Sequence, residues 1–201
     1  MLLQFEKLSK FYSQTCALRD ASGEIKFGEK ILITGHNGSG KTTLLRLLSG
    51  QLYPSTGKVL ADGKPLVSGT RQFFSVLSEN KFAYPDLTLE ENLKLYLPSQ
   101  VELHEAKRLG EEFEISLTKS EPFKNLSSGQ KQKFGIIKAL SKRNEVLFLD
   151  EPLNFLDSSS KIKLVELLNG VTQTVVLISH EVDFFSTYRK MNLKAGVIEC
   201  L

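Results

Sequence analysis

Short blocks of β-branched and aromatic residues alternate along the chain with longer stretches rich in Leu, Glu and Lys. Residues 23–27 and 30–34 read as strands split by Gly28-Glu29, and residues 41–49 as a helix ended by Gly50. Residues 58–60 and 72–77 are further strand candidates, and Tyr84-Pro85-Asp86 breaks the pattern. From residue 89 to about 115 β-branched residues nearly vanish, which predicts helices interrupted at Pro98; Pro122 marks another break. Ser127 or Ser128 can cap a helix reaching about Ser141. Residues 146–149 form a wholly apolar strand, a helix follows near 159–168, and 174–178 is a second apolar strand. The tail, 190–201, reads as a hairpin turning at Ala195-Gly196. A strand that is apolar at every position has both faces covered. Such strands alternating with helices predict a mostly parallel sheet with helices on either side, here with a helical insert in mid-chain. There is no internal repeat, low-complexity tract or linker.

Composition narrows the class without naming it. The 201 residues are 41% hydrophobic and 24% charged, an ordinary globular mix that excludes a disordered, collagen-like or coiled-coil chain. That length suits one sizeable core and is too short for a transporter carrying its own membrane bundle. The net charge of +3, without a Lys/Arg block, gives no signal for nucleic acid or an anionic membrane. Two cysteines, Cys16 and Cys200, exclude a disulfide scaffold or a Cys-rich zinc site, and reducing cytosol is expected. The first residues show no secretory signal, and no apolar run approaches the roughly 18 residues that span a bilayer. A membrane role would need a separate anchor.

Chemistry enters at Gly35-His36-Asn37-Gly38-Ser39-Gly40-Lys41-Thr42, which matches G-x-x-x-x-G-K-[ST] without mismatch. The motif follows an apolar strand and opens a helix, the context it requires. Glycines permit positive φ, so successive N–H groups turn inward and, with the helix N-terminus, cradle phosphate oxygens. Lys41 brings a compact positive charge to the β- and γ-phosphates, and the Thr42 hydroxyl is a hard oxygen ligand for Mg²⁺. A chance match in a chain this long occurs on the order of once per hundred proteins. Residues 145–151 end an apolar strand in Asp150 and Glu151. Ligand chemistry gathers at the carboxyl ends of such strands. Asp150 can hold Mg²⁺ through its water shell and Glu151 can polarise an attacking water, although an acidic pair at a strand end is by itself equally a solvated turn.

Leu126-Ser127-Ser128-Gly129-Gln130 is, alone, a helix N-cap with a glycine. The order of the phosphate loop, this LSSGQ, LFLDEP at 147–152, Leu156-Asp157 and His180 resembles the ATP-binding cassette (ABC) ATPases from about Leu8 to His180. The resemblance implies an α/β, RecA-like phosphate-loop NTPase core with a mostly parallel sheet. It further implies N-terminal antiparallel strands and a helical subdomain near 86–140 within a single 1–201 domain. It implies an ATPase using ATP and Mg²⁺, working as a dimer head to tail with a second subunit and with a separate transmembrane permease. The chain would then be cytoplasmic and peripheral at the membrane's cytoplasmic face, with no nucleic-acid partner. Gly35, Asn37, Gly38, Ser39, Gly40, Lys41, Thr42 and Thr43 would hold the nucleotide, with Tyr12 stacked on adenine and Phe11 as the fallback. Ser128, Gly129 and Gln130 would meet the γ-phosphate bound by the partner. Asp157 matches the subunit-contact aspartate, and His180 the histidine that touches γ-phosphate. Lys41, Glu151 and His180 form the implied catalytic set; Thr42, Asp150 and Glu79 the metal set.

Two positions depart from the family pattern. Glu79 stands where a glutamine is usual, Gln72 being several residues too early, and Asn154-Phe155 precede Leu156-Asp157 where small residues are common. The stretch Tyr84-Pro85-Asp86-Leu87-Thr88 and the compact insert resemble small export-type ATPases, such as the haem-export ATPase of cytochrome c maturation or ABC-2 exporters. A cell-division-type ABC ATPase that regulates a partner without transport is the alternative, and a small-molecule kinase on the same loop is disfavoured by LSSGQ.

Overall fold

The computed structural model describes residues 2–66, 74–77 and 83–199. They divide into two compact units, the first made of residues 1–76, 144–150 and 172–201 and the second of 77–143 and 151–171.

The first unit contains a four-stranded and a six-stranded sheet. In the smaller, β1 (Leu3–Tyr12) pairs antiparallel with β2 (Thr15–Ile25) and with β4 (Thr56–Ala61), which pairs with β5 (Lys64–Pro65). β1 was not evident as a strand in the sequence, and the hydrophobic pattern placed β2 only at 23–27. Bulges are the reason. Leu3, Phe5 and Leu8 are buried, so the inward face skips a residue where Lys7 takes φ 48°. Asp20 does the same on β2 at φ 45°. A bulge moves the following side chains to the other face and erases period-two alternation. Phe27 lies beyond β2 and is exposed.

The larger sheet has the order β10-β9-β3-β8-β7-β6. Here β3 is Lys30–Thr34, β6 is Phe74–Leu77, β7 is Val146–Asp150, β8 is Thr174–Ile178, β9 is Arg189–Lys194 and β10 is Val197–Glu199. β3 pairs in parallel with β8 and β9, and β7 in parallel with β8. Every residue of β7 and β8 is buried, as the apolar runs 146–149 and 175–178 require. The tail hairpin turns through Ala195 and Gly196, both at positive φ. Helix α1 (Lys41–Leu48) packs on strands of both sheets through Leu44, Leu45, Leu47 and Leu48, each essentially inaccessible.

The second unit is helical: α2 (Leu89–Tyr96), α3 (Gln100–Glu112), α4 (Ser128–Ser141) and α5 (Ser158–Gly170), with α3 and α2 both against α4. Pro98 separates α2 from α3, and both carry full capping boxes, Thr88 with Glu91 and Ser99 with Glu102. Buried Asn92 locks the break before α2. Its Nδ2 donates to the carbonyls of Tyr84, Leu87 and Thr88, and its Oδ1 accepts from the Tyr84 N–H at 2.6 Å. Among the described residues no helix is long and apolar enough to cross a membrane.

Candidate nucleotide-binding site

The phosphate loop, 35–42, leaves the carboxyl end of β3. Ile33 pairs with Ile178 on β8, and Ile178 pairs with Asp150 on β7. The loop, Asp150 and the residues after β8 therefore share one edge of the sheet. Glycine is required at two loop positions by close approach. A Cβ on Gly35, at φ 143°, would lie 2.2 Å from the Leu193 carbonyl oxygen. One on Gly40, at φ 100°, would lie 2.2 Å from that of Ala17. The loop is thus seated on β9 and on the start of β2.

Inside it, Lys41 is buried and its Nζ donates to the carbonyls of Gly35 at 2.9 Å and His36 at 3.1 Å. The ammonium curls back over the loop and keeps one further donor. Ser39 Oγ is buried and finds no hydrogen-bond partner among the described residues. Gly40 provides no side-chain cap to α1, so the first-turn N–H groups of that helix have no side-chain acceptor. Thr42 Oγ1 donates to Asp150 Oδ1 at 3.4 Å, and Asp150 is 5% exposed. Two hard oxygens meet beside an uncapped helix start and an orphan hydroxyl. That is a fit for a triphosphate with Mg²⁺, because both are satisfied by those groups. Asn37, Gly38 and Thr43 belong to the same loop and first helical turn.

Tyr12 ends β1 at the tip of the hairpin and is 45% exposed, with Phe11 similarly exposed. Tyr12 pairs with Thr15, two residues before the Ala17 carbonyl that backs Gly40, so the hairpin tip adjoins the loop. Lys10 Nζ lies 5.5 Å from the Tyr12 ring centroid. His180 is exposed two residues past β8, after buried Ser179.

The other residues that the sequence singles out belong to the second unit. Ser127 caps α4 in a reciprocal box with Gln130: its Oγ accepts from the Gln130 N–H at 3.2 Å, and Gln130 Oε1 accepts from its N–H at 2.9 Å. Ser128 is exposed, and a Cβ on Gly129 would come within 2.9 Å of the Phe155 carbonyl. Asp157 caps α5. The Ser159 hydroxyl, the N–H and hydroxyl of Ser160, and Lys133 hold its carboxyl well below the usual aspartate range. Glu151 sits at φ 48° and Phe155, exposed, at φ 62°. Gln132 Nε2 donates to the carbonyls of Glu151 and Pro152, a contact no motif in the sequence signals. Glu79 and Gln72 lie outside the described residues.

The family model for ABC transporters matches residues 18–154. An ABC transporter ATP-binding protein of Archaeoglobus fulgidus is 34% identical over 84% of this chain and 75% of its own length. The arabinose import ATP-binding protein AraG 1 of Burkholderia cenocepacia is 33% identical over 90% of this chain, which spans 39% of that protein. The putrescine transport ATP-binding protein PotG of Escherichia coli is 30% identical over 90% of this chain and 51% of its own. Among solved structures, an ATP-binding subunit of an ABC transporter superimposes with TM-score 0.89 at 27% identity, covering 100% of this chain and 89% of its own. A bacterial ABC transporter cassette solved as a dimer matches with TM-score 0.88 at 25% identity, covering 98% and 96%.

Proposed function

The chain belongs to the ABC transporter family, and on that premise we propose that it hydrolyses ATP to ADP and phosphate to power a separate transmembrane permease. The observation that carries this is the phosphate loop seated on β2 and β9, with Thr42 and Asp150 joined at 3.4 Å beside it. Gly35, Asn37, Gly38, Ser39, Gly40, Lys41, Thr42 and Thr43 hold the phosphates, and Tyr12 offers adenine an exposed aromatic face. Thr42, Asp150 and Glu79 are the residues that would hold Mg²⁺, which when bound supplies positive charge against the phosphate oxygens. Lys41 releases the loop carbonyls for the β- and γ-phosphates, where charge spreads during transfer. Glu151 orients or deprotonates the attacking water, and His180 reaches toward the γ-phosphate from the end of β8.

Ser128, Gly129 and Gln130 face the nucleotide of a second cassette, and Asp157 and Phe155 lie at that subunit contact, in keeping with the cassette solved as a dimer. We take residues near 86–140 as the helical subdomain and the subunit as working at the cytoplasmic face of a membrane through its permease. The finer reading, a small export-type ATPase, rests on the 84–88 stretch and the compact insert. Arabinose and putrescine import proteins stand among the relatives, so transport direction in vesicles holding the permease decides it. The nucleotide reading is tested with Lys41→Ala, which removes a charge-assisted contact. Hydrolysis should vanish and Mg-ATP binding weaken strongly; turnover at the wild-type rate would sink the reading.

A further inference from the structure

Helix α4 holds the loop after β7 at three points on one of its faces. Gly129, Gln132 and Lys133 are related by i, i+3 and i+4 and therefore lie side by side. Gly129 lets the Phe155 carbonyl approach so closely that a Cβ would sit 2.9 Å from it. Lys133 pairs with Asp157 at 3.2 Å. Gln132 gives both N–H groups of its amide to successive backbone carbonyls, Glu151 at 3.2 Å and Pro152 at 3.0 Å. Only the amide nitrogen can donate to two carbonyls, so the side chain has one workable orientation.

The first of those carbonyls belongs to a strained residue. Glu151 takes φ 48°, a conformation that costs a non-glycine residue free energy and persists only where its surroundings fix it. The Asn154 N–H also donates to the Glu151 carbonyl, at 3.2 Å, which closes the turn locally. Gln132 ties the carbonyl end of this turn to α4. Without it the peptide after Glu151 could rotate to an ordinary conformation and swing the carboxylate away.

We infer that Gln132 is a positioning residue for Glu151, holding its strained backbone so that the carboxylate stays where water is activated. This rests on the reading of Glu151 as the residue that orients or deprotonates water. Gln132 touches no reacting atom; it acts through the carbonyls of Glu151 and Pro152.

The test uses the full chain with Gln132→Met, Gln132→Lys and Glu151→Gln. Methionine keeps the length and removes both donors; lysine restores donors on a flexible stem. Gln132→Met should lower kcat by about ten- to a hundred-fold, the range a misplacement of about 1 Å produces. KM for ATP should stay within about two-fold of wild type and Tm should hardly move, since ATP contacts and core are untouched. Gln132→Lys should recover most of the lost kcat. In a Glu151→Gln background, Gln132→Met should cost nothing further, because residues acting as a unit are not additive. Wild-type kcat in Gln132→Met while Glu151→Gln is inactive overturns the inference and leaves Glu151 in place. Failure of both Gln132 variants to fold assigns a purely structural role and also overturns it. Normal turnover in Glu151→Gln removes the reading of Glu151 itself.

Discussion

Gly38 and Gly40 sit two residues apart in the same loop, both at positive φ, yet alanine should affect them very differently. At Gly38, φ 79°, a Cβ meets nothing within 4 Å. The cost of Gly38→Ala is then conformational alone, about 1–2 kcal/mol for an L-residue in the left-handed region. At Gly40, φ 100°, the same conformational cost is joined by a Cβ only 2.2 Å from the Ala17 carbonyl oxygen. Carbon and oxygen in contact ordinarily stand more than about 3 Å apart. The obstacle is backbone of β2, paired to β1 on its other side, and cannot swing away as a side-chain tip would. Relief requires the loop itself to move by about 1 Å, and overpacking of this kind costs a further 1–3 kcal/mol or so. The total for Gly40→Ala is about 2–5 kcal/mol, divided between folding stability and ATP binding. The assay is a pair of titrations on each variant: a fluorescent ATP analogue for Kd, and urea for unfolding free energy. Summed over both, Gly40→Ala should lose at least about 1 kcal/mol more than Gly38→Ala. Part of that difference should appear as weaker ATP binding. Equal losses in the two variants would refute the argument that Ala17 shapes the loop.

Other outcomes follow from burial. Tyr188 is 4% exposed, its hydroxyl finds no partner among the described residues, and burial pushes its pKa up to about 12. Tyr188→Phe should therefore leave Tm unchanged or raise it, whereas a clear fall would show that a bound water satisfies the hydroxyl. Lys138 on α4 is buried with Nζ 4.1 Å from the Tyr96 ring centroid, and desolvation, aided by Lys142, lowers its pKa to about 7. Its unfolded value is near 10.5, so between those values the unfolded chain binds more protons and stability rises with pH. The wild type should gain Tm relative to Lys138→Met from pH 7 toward 10; a flat difference would contradict a desolvated ammonium.

The sequence made some of this plain because single segments carried it. Residues 146–149 and 175–178 are apolar throughout, as strands covered on both faces require, and all are buried. The capping of α4 is equally local, since Ser127 and Gln130 supply both halves of the box. Illegible features depend on residues distant in the chain or on strain. β1 hides because Lys7 bulges and shifts its inward face, and Gly57 is needed opposite, where a Cβ would meet the Lys7 carbonyl at 2.3 Å. The walls of the phosphate loop are backbone carbonyls of Ala17 and Leu193, which no side-chain pattern encodes. The role of Gln132 is equally hidden, because a glutamine on a helix gives no sign of which carbonyls it will meet.

The helix starts of α1 and α4 are built by opposite means. α1 begins at Gly40 without a side-chain cap, and its loop has an orphan Ser39 hydroxyl. Among the described residues no side chain caps that helix start and nothing bonds the Ser39 hydroxyl, so an anion gains by supplying an acceptor. α4 begins with a complete capping box, which satisfies the N–H groups of Ser127 and Gln130. What remains there are the first-turn N–H groups of Ser128 and Gly129, one behind an exposed serine and one on a residue without a side chain. Such an end is already stable alone and can present only a narrow pair of donors. On the function proposed above, the first arrangement suits the nucleotide that a cassette keeps, and the second a phosphate brought by another subunit. On that reading, the box at 127 and 130 holds the start of α4 within one protomer and leaves two first-turn amides for a second cassette's γ-phosphate.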